Sequence, residues 1–128
     1  MSKLKLYNYW YSNFEKSGIK SEFVEKYMAY VSKLLNNNVP IIFDFNHLCL
    51  LLGRNGHYLA SVVNSNVSHY RIFQIPKRSG GHRNISAPYP ALLECQSWIY
   101  ENILAKIKIH PAAQGFTTKK SIITNAKI

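Results

Sequence analysis

Apolar residues recur at helical spacing in two long stretches of this chain. Between residues 21 and 35, Val24, Tyr27, Met28, Val31, Leu34 and Leu35 fall on one face, which predicts an amphipathic helix. Glu22 and Glu25 lie near its start, where the helix dipole favours acids, and Asn36-Asn37-Asn38 with Pro40 end it. From 90 to 109, Leu92, Cys95, Gln96, Ile99, Ile103 and Ile107 form a second face, widened by Tyr100 and Leu104. Pro90 suits the first helical position, Glu94 the N-terminal end, Lys106 and Lys108 the C-terminal end, and Pro111 stops the helix. Gln96 is the polar exception on that face, and a neighbouring backbone group is its expected hydrogen-bond partner.

Shorter helices are predicted between these two. Asp44 caps one that runs to residue 52 and stops at Gly53; after an Asn55-Gly56 turn, a second covers 57–64. Tyr58, Leu59, Val62 and Val63 of the second are expected against Leu48, Leu51 and Leu52 of the first. Residues 1–19 crowd Tyr7, Tyr9, Trp10, Tyr11 and Phe14 among lysines. Such aromatics either dock the N-terminus onto the domain or stack on single-stranded RNA. At the other end, 112–118 reads as a loop and 121–128 as the beginning of a further helix.

The pattern changes to strand-like between residues 70 and 87. Two β-compatible segments, 70–75 and 83–87, flank Lys77-Arg78-Ser79-Gly80-Gly81-His82, and the Gly pair supplies the positive φ that a reversal needs. A turn centred on Gly80 pairs Ile75 with Ile85, Phe73 with Ala87, and Lys77 with Arg83, and strand alternation puts all six on one face. Like charges facing each other destabilise a hairpin unless an anion sits between them, and no acidic residue lies between Tyr70 and Pro88. The tip thus invites a phosphate; the alternative is a solvated basic turn. With this hairpin the fold class is α+β, mainly helical with one β-hairpin.

Charge sharpens that picture. The 128 residues suit one domain, and 16 Lys and Arg against 6 Asp and Glu give a net charge of +10. Residues 65–128 carry nine basic and two acidic side chains, a surplus of +7 against +3 for residues 1–64, so the second half is the expected polyanion-binding face. The most apolar run, 39–52, contains Asp44, Asn46 and His47 and is too short to span a bilayer, and the N-terminus lacks a secretory pattern. A cytoplasmic protein without a membrane partner is expected. Cys49 and Cys95 lack metal-ligand spacing and are read as buried free thiols, and His47, His57 and His69 share no helix face on which to act as ligands.

Ile-Pro-Lys-x-x-Gly-Gly-x-Arg-x-Ile-x-x-Pro from Ile75, followed by Leu92, Gln96, Trp98-Ile99, Ile103-Leu104, Gly115-Phe116, Ser121-Ile122 and Asn125-Ala126, resembles the opening blocks of reverse transcriptases. The likeness is to bacterial retron-type enzymes, with group II intron relatives behind them, and covers residues 44–128. It implies an N-terminal extension with an amphipathic helix over 1–43 and a fingers-like region over 44–128, the palm being absent. It further implies that Lys77 and Arg83 bind the triphosphate of an incoming deoxynucleotide. Arg78, Lys119 and Lys120 would support template or phosphate contacts; the hydroxyls and cations of 117–121, ahead of a helix start, suit phosphate in their own right. The complete enzyme would be an RNA-directed DNA polymerase acting on an RNA template and DNA primer. Its partners would extend to a structured non-coding RNA and its role to antiviral defence. Such phosphoryl transfer uses Mg²⁺ held by carboxylates, which the resemblance assigns to the palm, so no catalytic or metal-binding residue is expected in these 128. The alternatives are a stand-alone basic RNA-binding module and a truncated gene product without catalysis.

Overall fold

The computed structural model describes residues 1–64, 67–113, 115, 119, 121 and 126. Among them are five α-helices and one antiparallel hairpin, in the order α1 (Lys3–Lys16), α2 (Ser21–Asn36), α3 (Phe45–Leu52), α4 (Gly56–Asn64), β1 (Tyr70–Pro76), β2 (His82–Pro88) and α5 (Pro90–Asn102). No helix among the described residues is long and apolar enough to cross a membrane.

The first core forms between α1 and α2. Val24, Met28, Val31 and Leu35 lie on successive turns of α2 and are buried together with Ile41, Val31 completely so. Leu6, Tyr7, Trp10 and Phe14 of α1 close over them, which fits docking of the N-terminal aromatics. Those four residues already carry helical spacing. Ser2 caps α1, its hydroxyl accepting from the Lys5 amide at 3.3 Å. At the end of α2 the Val39 amide donates to the Leu34 carbonyl and the Asn38 amide to the Leu35 carbonyl. Asn38 takes a left-handed φ of 58° there, the position at which a helix of this ending usually places glycine.

Phe43 joins this pair of helices to the rest. Its ring lies 5.2 Å from Trp10, 5.7 Å from Phe14, 5.2 Å from Tyr30 and 6.2 Å from Tyr27, and stacks on His47 at 6.3 Å. The Tyr30 hydroxyl donates to the Ile42 carbonyl, and the Phe43 amide donates to His47 Nδ1 at 3.3 Å. Asp44 caps α3 as expected, accepting from the His47 amide at 2.7 Å, and Gly53 ends it with φ 67°.

The second core is small. Cys49 of α3, Leu59 of α4 and Cys95 of α5 are buried together, with Leu52 and Tyr58 against them; both thiols are free. Leu59, Tyr58 and Leu52 make the packing expected of α3 and α4, but Val63 is 77% exposed and Leu51 also reaches solvent. Across this core, Arg54 pairs with Glu94 at 2.5 Å and lies over the Tyr58 ring.

Helix α5 is shorter than its sequence pattern suggests, ending at Asn102 instead of 109. The Asn102 side chain donates to the Trp98 carbonyl at 2.9 Å, a local bond that competes with helix continuation. A single 3₁₀ turn, Leu104–Lys106, follows. Beyond it the Ile-Lys-Ile run at 107–109 has a two-residue period, and Ile107 is 56% exposed, so nothing rewards further helix. Gln96 is exposed too, and its amide donates to the Tyr70 hydroxyl at 2.9 Å, a side chain and not the expected backbone. Most of the helix predicted at 121–128 lies outside the described residues.

Replacing Phe43 by Leu keeps apolar bulk but removes the ring contacts, so Phe43→Leu is expected to cost about 1–2 kcal/mol. Thermal or denaturant unfolding of the purified chain measures this, and a loss within a few tenths of a kcal/mol would show that the rings are merely adjacent.

Candidate phosphate-binding site at the hairpin tip

The hairpin forms where predicted, with a different register. Phe73 pairs with Ile85, Ile75 with Arg83, Arg71 with Ala87 and Pro76 with His82. The turn therefore centres on Ser79, one residue earlier than the glycine-centred expectation. The Lys77 amide donates to the Gly81 carbonyl at 2.9 Å, and the Gly80 amide donates back to the Lys77 carbonyl at 3.2 Å. Gly80 and Gly81 take φ of 92° and 75°, so both glycines serve the descending arm and neither is the apex.

This correction moves each partner by two residues. A two-residue slip preserves strand alternation, so Phe73, Ile75, Lys77, Arg83, Ile85 and Ala87 still share a face. Lys77 and Arg83 are no longer opposed, however: Lys77 lies against Gly81 and Arg83 against Ile75. They stand as diagonal neighbours, a relation with a typical separation of about 7–8 Å, and the mutual repulsion expected from direct pairing is relieved.

Pro76, Lys77, Arg78, Ser79 and Arg83 line a concavity of about 510 Å³ at the tip. The structure thus brings together three of the five basic residues singled out by sequence. Lys119 is exposed, has a φ of 61° and is not among the lining residues; Lys120 lies outside the described residues. Ser79 escaped sequence reasoning, although its place between Arg78 and the glycines was the available signal. Arg71 is also on the cationic face, its guanidinium 5.1 Å from the Phe73 ring centre.

Among the described residues, Lys77, Arg78 and Arg83 have no acidic partner. The ion pair among the described residues is Arg54 with Glu94, away from the tip. A concave surface with three unpaired cations and a hydroxyl suits phosphate oxygens, which accept charge-assisted hydrogen bonds from Lys and Arg. Among the described residues no three His, Cys, Asp or Glu side chains converge to hold a metal ion.

The chain has relatives of known kind. It is 42% identical over 59 residues to the retron Mx162 reverse transcriptase of Myxococcus xanthus, 46% of this chain and 12% of that protein. It is 39% identical over 61 residues to the retron Ec83 reverse transcriptase of Escherichia coli, 48% of this chain and 20% of that protein. Over about half its length, the chain is homologous to retron reverse transcriptases. A third retron enzyme, the Mx65 reverse transcriptase of Myxococcus xanthus, matches at 37% identity over 70 residues, 16% of its length. The matched stretches span a fifth or less of these curated relatives. No protein-family model matches the chain.

Two substitutions separate the backbone role of the hairpin turn from that of its exposed cations. Gly81→Ala meets no neighbour within 4 Å but must hold a φ of 75°, and is expected to cost about 1–2 kcal/mol. Lys77→Ala, on an exposed and unpaired side chain, should change stability by no more than about 0.5 kcal/mol. Paired melts of the two variants test this, and a larger loss for Lys77→Ala would make that lysine structural.

Proposed function

We propose that this chain acts as the fingers-like part of a retron-type reverse transcriptase. The hairpin tip holds the triphosphate of the incoming deoxynucleotide through Lys77 and Arg83. Arg78 and the basic residues further along the chain, Lys119 and Lys120 among them, contact template RNA. The observation that carries the proposal is the concavity at the hairpin tip, where Lys77, Arg78, Ser79 and Arg83 meet without an acidic partner, in a chain homologous to retron reverse transcriptases. In this reading residues 44–128 form the fingers-like region and residues 1–43 an N-terminal extension. DNA primer and a structured non-coding RNA are further partners of the complete enzyme. Mg²⁺ would be held by carboxylates outside this set of residues, whose described part offers no converging donors.

The division of labour at the tip follows from its register. With Lys77 and Arg83 diagonal across the turn, each can donate to a different phosphate oxygen, which a chain of linked phosphates supplies. A single inorganic phosphate satisfies fewer of these donors at once. Because all three cations are exposed, their attraction to the ligand is screened by salt.

In a complete reverse transcriptase bearing this hairpin, Lys77→Ala or Arg83→Ala should weaken use of the incoming nucleotide by about 2–3 kcal/mol, the loss of one charge-assisted contact to phosphate. Template affinity should change far less. Steady-state kinetics with varied nucleotide decide it: unchanged kcat/KM in both variants would overturn the assignment.

The 128-residue chain by itself is expected to bind RNA with an affinity that falls steeply as salt rises. Neutralising Lys119 and Lys120 should flatten the log–log slope by up to about one unit per lost phosphate contact. Filter binding across a salt series measures the slope, and a value near zero removes the RNA-binding part of the proposal. Primer extension by the chain alone should be undetectable; RNA binding with no nucleotide effect in the complete enzyme would instead favour a stand-alone RNA-binding module.

A further inference from the structure

The donors at the hairpin tip are not gathered at one point. Arg83 stands opposite Ile75 and Lys77 opposite Gly81, two residues apart along the ladder, which is about 7 Å of strand. Ser79 lies beyond both, at the apex of the turn. All three line one concavity, with Pro76 and Arg78. Their order from the body of the hairpin outward is therefore Arg83, Lys77, Ser79.

These donors differ in kind as well as in place. Lys77, Arg78 and Arg83 are exposed, and long cationic side chains follow an anion over a range of positions, so they attract phosphate without fixing where it sits. The apex offers shorter and firmer donors. The Gly80 amide is given to the Lys77 carbonyl and the Lys77 amide to the Gly81 carbonyl, bonds that hold the turn, whereas the amides of Arg78, Ser79 and Gly81 donate to no other backbone group among the described residues. The Ser79 hydroxyl stands one carbon from that backbone. A Cβ built on Gly80 or Gly81 meets no atom within 4 Å, so nothing crowds the apex. Successive backbone amides left free in a turn bind anions, and here the neighbouring cations supply the charge that amides lack.

We propose that Ser79, through its hydroxyl and its own amide, holds the terminal phosphate of the ligand and so sets how many linked phosphates the tip prefers. The proposal rests on the reading of Lys77 and Arg83 as triphosphate ligands, and adds a selectivity that two flexible cations do not provide. A diphosphate held by Arg83 and Lys77 ends short of the apex. A third linked phosphate reaches Ser79.

The test titrates the full 128-residue chain with inorganic pyrophosphate and tripolyphosphate by isothermal titration calorimetry, at one pH and one ionic strength. Charge alone favours the longer anion, so the informative quantity is how an uncharged substitution changes the ratio of the two affinities. Ser79→Ala should cut the preference for tripolyphosphate about fivefold, as the loss of an exposed hydrogen bond to a charged group, and leave pyrophosphate affinity unchanged. Ser79→Thr, which keeps the hydroxyl, should restore the preference. Lys77→Gln or Arg83→Gln should weaken both anions together, and thermal melts by circular dichroism check that each variant folds. An unchanged ratio in Ser79→Ala, or an equal loss for both anions, overturns the proposal and leaves the two cations as phosphate ligands. Unaltered binding in Lys77→Gln and Arg83→Gln, with the Ser79→Ala effect intact, overturns the cation reading and leaves Ser79 in its role. Failure of the unsubstituted chain to bind tripolyphosphate overturns both.

Discussion

The hairpin tip can be placed only as firmly as its base, and the base is a junction at His69 and Tyr70 where four elements meet. A two-stranded hairpin is marginally stable by itself in water, and among the described residues no further strand pairs with this one. The Tyr89 amide donates to the His69 carbonyl at 2.9 Å, closing the open end of the ladder just before α5. The His69 ring meets the Ser61 hydroxyl of α4 at 3.0 Å and the edge of the Tyr58 ring at 5.4 Å. The same Ser61 hydroxyl donates to the Tyr58 carbonyl at 2.7 Å. On the neighbouring residue, Gln96 of α5 holds the Tyr70 hydroxyl. Polar bonds thus do at the base what a third strand would do elsewhere.

The distribution of acids follows the same division between anchoring and binding. Glu94 is used across the second core to fix Arg54, and Asp44 is used to start α3. Neither of the two acids in residues 65–128, Glu94 and Glu101, lies in the hairpin. Exposed cations left without partners cost the fold little, because water screens them; their interaction energy is therefore available to an incoming anion. The slip of register adds to this, since direct opposition of Lys77 and Arg83 would have set the hairpin against itself in the unliganded state.

Much of this was legible in the sequence. Helical periodicity marked α2, and cap chemistry marked the start of α3 and its stop at Gly53, because both signals are local. The faces of the hairpin were legible for a different reason: alternation survives any even slip, so Phe73, Ile75, Lys77 and Arg83 share a side in either register. The register itself was not, because a Gly-Gly pair satisfies positive φ equally well at the apex or on the descending arm, and only the tertiary fold chooses. Helix α1 was not expected although Leu6, Tyr7, Trp10 and Phe14 carry its period, because aromatics crowded on both sides of that stripe blur it. The overlong α5 had the opposite cause. Its apolar face continues past Asn102 on paper, but no residue of the described fold buries Ile107 or Ile109.

That unburied apolar surface bears on where α5 belongs. Leu92 and Cys95 are the buried residues of α5, Cys95 in the second core, while Leu93 and Tyr100 on its other side are about half exposed, as are Leu104 and Ile107 just beyond its end. A helix that is apolar on more than one side is the kind a larger protein encloses, and isolated exposed apolar residues are ordinary only when scattered singly. The second core, built from three buried side chains, is too small to need a helix with two apolar sides. One side of α5 thus meets the second core and the hairpin base, through Cys95 and Gln96, and the other stays open. The same arrangement explains why the hairpin base relies on polar ties. Burial on a single side of α5 gives the hairpin little apolar area to lean on, so Tyr70, Gln96, His69 and Tyr89 carry the orientation of the tip.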